Sequence, residues 1–223
     1  MPAGRAGVGF LDWDIKDKRH VDRRASVPDA SFQGPGLYAL CFDDRLIYIG
    51  SYLGVRNHGL FTGDVVQSRW WTHIGAITMR GARVHVARKS LKALQDGNAP
   101  AGVLLSGLLG ASDNELLHKD NGNLSPLRRM RFADCHSNVF LDATADPAKI
   151  LGRFKFVYCR IDPKNETLDP QALRKSILSA ETALIERYLP SCNSKGVQLN
   201  KPEIEVNFAD VEKILTDELS RQI

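Results

Sequence analysis

Residues 36–50, GLYALCFDDRLIYIG, decide how the rest of the chain is read. Positions 37–42 are rich in strand formers, Asp43-Asp44 supplies a tight turn, and LIYI at 46–49 reads as a second strand ending at Gly50, so the segment is a β-hairpin. Gly34-Pro35-Gly36 forces the turn that leads into it.

Working outward, residues 51–66 (SYLGVRNHGLFTGDVV) hold three glycines and no sustained periodicity, which predicts an extended surface loop available to a ligand. Helical spacing begins at Gln67. Trp70, Ile74 and Ile77 give an apolar side that can rest on the hairpin, and Arg69 and His73, four apart, share the neighbouring stripe. Residues 154–161 (FKFVYCRI) alternate and read as a third strand with one wetter edge. Asp169-Pro170 is an N-cap followed by proline at the first helical position, opening a helix that runs to near Pro190. Phe208, Val211, Leu215 and Leu219 mark a C-terminal helix capped by Asn207.

Two stretches say less. Residues 1–33 are polar and mixed in charge, with the run KDKRHVDRR, and read as a loose arm; residues 80–150 support only short helices and long loops. The apolar run at 101–111 (AGVLLSGLLGA) is too short to span a bilayer and reads as a buried helix. The expected fold class is α+β: a small three-stranded antiparallel sheet flanked by helices, with a large insertion at about 80–150. An arm at 1–33, a domain at 34–197 and a helical extension at 198–223 complete the division.

Composition suits a soluble globular chain. Its 223 residues are 43% hydrophobic and 25% charged, enough for a real core and too apolar for disorder. No apolar run approaches the ~20 residues of a membrane span, and residues 1–20 lack an apolar signal core, so no membrane partner and a cytoplasmic location are expected. Cys41, Cys135, Cys159 and Cys192 lie far apart without zinc spacing and read as reduced core residues. The net charge of +4 permits a nucleic-acid partner. Its distribution is uneven: Arg80, Arg83, Arg88 and Lys89 lie in an acid-free segment, Arg128, Arg129 and Arg131 cluster again, and the tail at 203–218 is acidic. These basic residues are the candidate DNA contacts, against the plainer reading of solvated helix faces.

One carboxylate is out of place. In the helix at 170–189 the apolar stripe includes Leu173, Ile177, Leu184, Ile185 and Tyr188, and Glu181 falls four after Ile177 and four before Ile185. Burying an ionised carboxylate costs several kcal/mol unless a cation or donors compensate. Either an internal salt bridge, to Arg69 or Arg174, or a functional role accounts for it.

Gly36-Leu37-Tyr38 at the head of one strand and Tyr48-Ile49-Gly50 at the end of the next resemble the paired signatures of the GIY-YIG nucleases. The family pattern continues with a helical arginine and, in many members, a histidine one turn later, matched by Arg69 and His73. It then has a glutamate on a later helix and an asparagine after it, matched by Glu181 and Asn193. The resemblance covers roughly residues 34–78 and 152–197. It departs from the pattern in the long segment after YIG and in about seventy residues between the first helix and the third strand. Insertions of this sort resemble the family's type II restriction endonucleases, which read a DNA sequence. The lysine that often follows YIG is also missing, its place held by Ser51-Tyr52.

The resemblance implies a Mg²⁺- (or Mn²⁺-) dependent endonuclease acting on double-stranded DNA. A homodimer would bring two active sites to the two strands of a symmetric target. Glu181 would hold the cation, whose hard oxygen coordination suits a carboxylate, phosphate and water. Arg69 would grip the scissile phosphate. Tyr38 is favoured as the base that takes the proton from water, with Tyr48 orienting water or phosphate, while His73 as proton shuttle remains open. Asn193 would position a tyrosine or Glu181. Alternatives are a repair, recombination or mobile-element nuclease that selects DNA by shape, and a catalytically inactive DNA-binding relative.

Overall fold

The computed structural model describes residues 3–7, 12–17, 20–25, 32–78, 86–87, 117–118, 129, 132–133, 135–140, 146–162, 168–193 and 204–223. In chain order the strands are β1 (Ala3–Gly7), β2 (Asp12–Asp17), β3 (His20–Ala25), β4 (Gly36–Phe42), β5 (Arg45–Tyr52), β6 (Val86–Ala87), β7 (Leu117–His118) and β8 (Phe154–Arg160). The helices are α1 (Trp71–Thr78), entered through a π-helical turn at Val66–Trp70, then α2 (Ser137–Phe140), α3 (Pro147–Gly152), α4 (Pro170–Tyr188) and α5 (Phe208–Gln222). They divide into two compact units, one of Met1–Leu11, Ser26–Arg69 and Gly152–Ile223, the other of Asp12–Ala25 and Trp70–Leu151.

The first unit is α+β. Its sheet runs β1-β8-β4-β5, antiparallel throughout. The expected hairpin is β4–β5. Asp43 and Asp44 take φ of 50° and 63°, the left-handed pair that lets a two-residue turn follow the twist of the strands. Arg153 donates to Asp43 through Nε at 2.8 Å, and Lys155 pairs with Asp44, so β8 braces the turn from outside. β4 is buried along its whole length. Leu37, Ala39 and Cys41 join Val157 and Cys159 under Leu173, Ile177, Ala180 and Leu184 of α4 and Val211, Leu215 and Leu219 of α5. α4 starts where Asp169 accepts from the Gln171 and Ala172 amides, both at 3.1 Å, and stops at Leu189, left-handed at φ 52° ahead of Pro190. α5 is capped by Asn207, which accepts from the Ala209 amide at 3.0 Å. At the other end, Glu218 is 4% exposed and accepts from Arg221 and Gln222, with Arg187 of α4 at 3.6 Å.

Two expectations change. β1 adds a fourth strand beyond β8, and β2–β3 form a hairpin within the second unit, where the sequence read as a loose arm. AGRAG carries no strand-forming side chains or alternation, so only pairing with β8 reveals it as a strand. For the same reason β8 is an inner strand: burial is complete save at Lys155, near one end, and at Arg160, the last residue, rather than along a wet edge. Within the second unit, the described parts of the region read as short helices and loops are the parallel pair β6–β7, the short helices and a stack of Phe132 on His136 at 4.3 Å. The run at 101–111 lies outside the described residues. No helix among them is long and apolar enough to cross a membrane.

Gly36 faces β8 so closely that a Cβ would stand 2.2 Å from the Cys159 carbonyl oxygen. Gly36→Ala is therefore expected to cost about 1–3 kcal/mol, read as a lower urea midpoint at unchanged slope. Burial pushes the Cys41 thiol up to about 12 and that of Cys159 up to about 11, so at pH 8 both stay protonated and unreactive, whereas Cys135 is exposed. Iodoacetamide at pH 8 should label Cys135 in the native protein and all four cysteines only after denaturation, as counted by mass spectrometry. Native labelling of Cys41 or Cys159 would contradict the packing of α4 and α5 on the sheet.

Candidate active site

Four consecutive residues at the end of β5 organise the site. Gly50 is the register partner of Tyr38. A Cβ on it would lie 2.5 Å from Tyr38 Cζ and 2.6 Å from the Tyr38 hydroxyl, so the phenol rests on the space that only glycine leaves. Tyr48 flanks the same spot, with its ring centroid 6.0 Å from that of Tyr38. The two tyrosines differ in access: Tyr38 is 2% exposed and Tyr48 half-buried.

Ile49 meets Asn193. Its amide donates to Asn193 Oδ1 at 2.8 Å, and its carbonyl accepts from Asn193 Nδ2 at 2.7 Å. The side-chain amide thus bonds the strand's outer edge as a neighbouring strand would. Further along the same edge, the Cys192 amide donates to the Ile47 carbonyl at 2.8 Å, and the Leu46 amide donates to the Val206 carbonyl at 3.0 Å. Asn193 therefore pins the strand that carries Tyr48.

Ser51 meets Glu181. Its hydroxyl donates to Glu181 Oε2 at 2.7 Å. Ser51 follows the YIG triplet, in the place that the resemblance gives to a lysine, and it touches the Glu181 carboxylate. Glu181 is half-buried, between the fully buried Ala180 and Leu184 on the inner stripe of α4. Because successive strand residues point to opposite faces, Ser51 and Glu181 lie on the helix-covered face of β5, and Tyr38 and Tyr48 lie on the other.

Arg69 and His73 fall in different units. Arg69, in the last turn of the π-helical segment, is exposed, while His73 is 7% exposed on α1, in the second unit. Of the basic residues expected to meet DNA, Arg129 is helical and 7% exposed, and Arg80, Arg83, Arg88, Lys89, Arg128 and Arg131 lie outside the described residues. Sequence reasoning missed the parts played by Ser51 and Gly50. The signal for Ser51 was its place after YIG; for Gly50 there was only the register that a two-residue turn imposes.

Among the described residues no group of three or more His, Cys, Asp or Glu is gathered for a metal ion. No family model matches the chain, and no curated protein or solved structure matches it either.

Asn193→Ala leaves a buried amide and carbonyl of β5 unpaired and should destabilise the protein by about 1–3 kcal/mol in urea unfolding. Hydrogen exchange read residue by residue should show the Ile49 amide losing protection first. Unchanged protection at Ile49 would rule out the pinning role.

Proposed function

We propose that this chain is a metal-dependent endodeoxyribonuclease of the GIY-YIG type that hydrolyses phosphodiester bonds in double-stranded DNA and reads a particular sequence, as type II restriction enzymes do. The observation that supports it most is the end of β5, where each of residues 48–51 engages a residue that the resemblance singles out. Tyr48 and Gly50 meet Tyr38, Ile49 meets Asn193, and Ser51 meets Glu181. The four contacts share one strand end, with Ser51 and Glu181 on one face of it and the tyrosines on the other.

Hydrolysis needs an activated water and neutralisation of charge growing on the phosphoryl oxygens. Glu181, steadied by Ser51, is the carboxylate that would hold Mg²⁺ or Mn²⁺. A single carboxylate beside a hydroxyl fits such an ion, which takes one or two protein oxygens and fills the rest with water and phosphate. When bound, it neutralises phosphate charge and lowers the pKa of water. Arg69, exposed at the end of its turn, offers a planar fork for two phosphate oxygens.

The difference in burial favours Tyr48 over Tyr38 as the base. A phenol as enclosed as Tyr38 is costly to ionise and has little access to water, so Tyr48 is the better group to take the proton, with Tyr38 fixing its ring. His73 is buried as well, which makes it the weaker shuttle. A homodimer would place two such sites against the two DNA strands.

The test is incubation with a mixed-sequence plasmid library and Mg²⁺, followed by sequencing of the ends. Discrete fragments are expected, abolished by EDTA, reduced on the order of 10³-fold by Glu181→Ala and about 10²- to 10⁴-fold by Tyr48→Phe. Intact DNA bound with undiminished affinity would overturn the enzyme and leave a DNA-binding module.

A further inference from the structure

The loop that follows β5 is built rather than slack. Tyr52 donates its hydroxyl to the Thr62 carbonyl at 2.9 Å, tying the far side of the loop to the strand end that carries the candidate site. The Val55 amide donates to the Thr62 carbonyl and hydroxyl oxygens, both at 3.2 Å, and the Thr62 hydroxyl donates to Gly59 at 2.7 Å. The His58 amide donates to Val55 at 3.0 Å, closing the tip. Leu60 is buried, and Leu53 and Phe61 pack against the core, so the base is anchored by apolar contact. Val55, Arg56, Asn57, His58 and Gly59 are all exposed.

The backbone explains the composition. Gly54, Gly59 and Gly63 take left-handed φ of 75°, 98° and 71°, and the fourth left-handed residue is Asn57 at 70°, the side-chain-bearing type that tolerates this region best. At its tip the loop carries Arg56, Asn57 and His58, and no acid occurs between Leu53 and Gly63. Arg56, Asn57 and His58 stand five to seven residues from Ser51 along the chain, within at most about 25 Å even if fully extended. That is about seven base pairs of duplex at 3.4 Å per pair.

We propose that this loop is a base-reading finger for double-stranded DNA. It enters a groove beside the scissile phosphate, with the Arg56 guanidinium suited to guanine O6 and N7 and the Asn57 amide suited to adenine N6 and N7. The proposal rests on the DNA-cleaving reading of the adjoining site. Preorganisation is what the clasp contributes: side chains on a rigid tip lose little conformational freedom on binding.

The test uses the full chain carrying Glu181→Ala as the parent, so that DNA stays uncut. Parent, Arg56→Ala and Asn57→Gly are each used to select from a randomised duplex pool, and the bound fraction is sequenced. Asn57→Gly keeps the left-handed backbone and removes only the amide. The parent should enrich a motif, and each variant should lose preference at one or two positions. Affinity for the enriched sequence should fall roughly tenfold to a hundredfold, and that for unrelated duplex hardly at all. Enrichment of the same motif at the same affinity by both variants overturns the finger, and so does uniform weakening on every sequence, the mark of phosphate contact alone. A parent that binds no duplex overturns the finger and the nuclease together. Motif loss in the variants, with no cutting by the wild-type chain in Mg²⁺, sinks the nuclease and leaves the finger standing.

Discussion

The outer edge of β5 is where this unit is most exposed to failure, and the amide of Asn193 answers it. An edge strand presents unpaired N–H and C=O groups to any other strand. Here the Leu46 amide is met by Val206, the Ile47 carbonyl by Cys192, and both polar groups of Ile49 by Asn193. Two chain segments, at 192–193 and at 206, therefore converge on one strand edge. The last contact holds the backbone between Tyr48 and Gly50, so the position of the tyrosine pair depends on an asparagine distant in sequence.

The other side of the hairpin is governed by close approach. Gly36 lets β8 come against β4, and Gly50 lets the Tyr38 phenol come close over β5. Both would be lost with a single methyl group. A strand buried along its whole length tolerates little error, and Leu37, Ala39 and Cys41 of β4 pack into the core beneath the helices.

The two notable acids of the helices illustrate how burial and partner set a role. Glu218 is enclosed and held by arginines, which suits an ion pair that clamps α4 to α5. Glu181, one stripe away from full burial, is held by a neutral hydroxyl on the sheet, at the strand end where the tyrosines also lie. Periodicity alone placed the anomaly at Glu181 and was silent about Glu218, whose environment is made by a neighbouring helix and by residues three and four further along its own.

The sequence by itself determined the elements whose signals are local. The hairpin, the third strand, and α4 and α5 with their caps Asp169 and Asn207 follow from strand formers, turn residues and helical spacing. It also determined which residues to suspect, since the order of Tyr38, Tyr48, Arg69, Glu181 and Asn193 is written in the chain. Tertiary structure decided what depends on distant partners. β1 is a strand only because β8 has an edge to offer, and Ser51 matters only because α4 brings Glu181 to it. Tyr48, rather than Tyr38, faces water because burial is a property of everything packed around a residue and not of its place in the sequence.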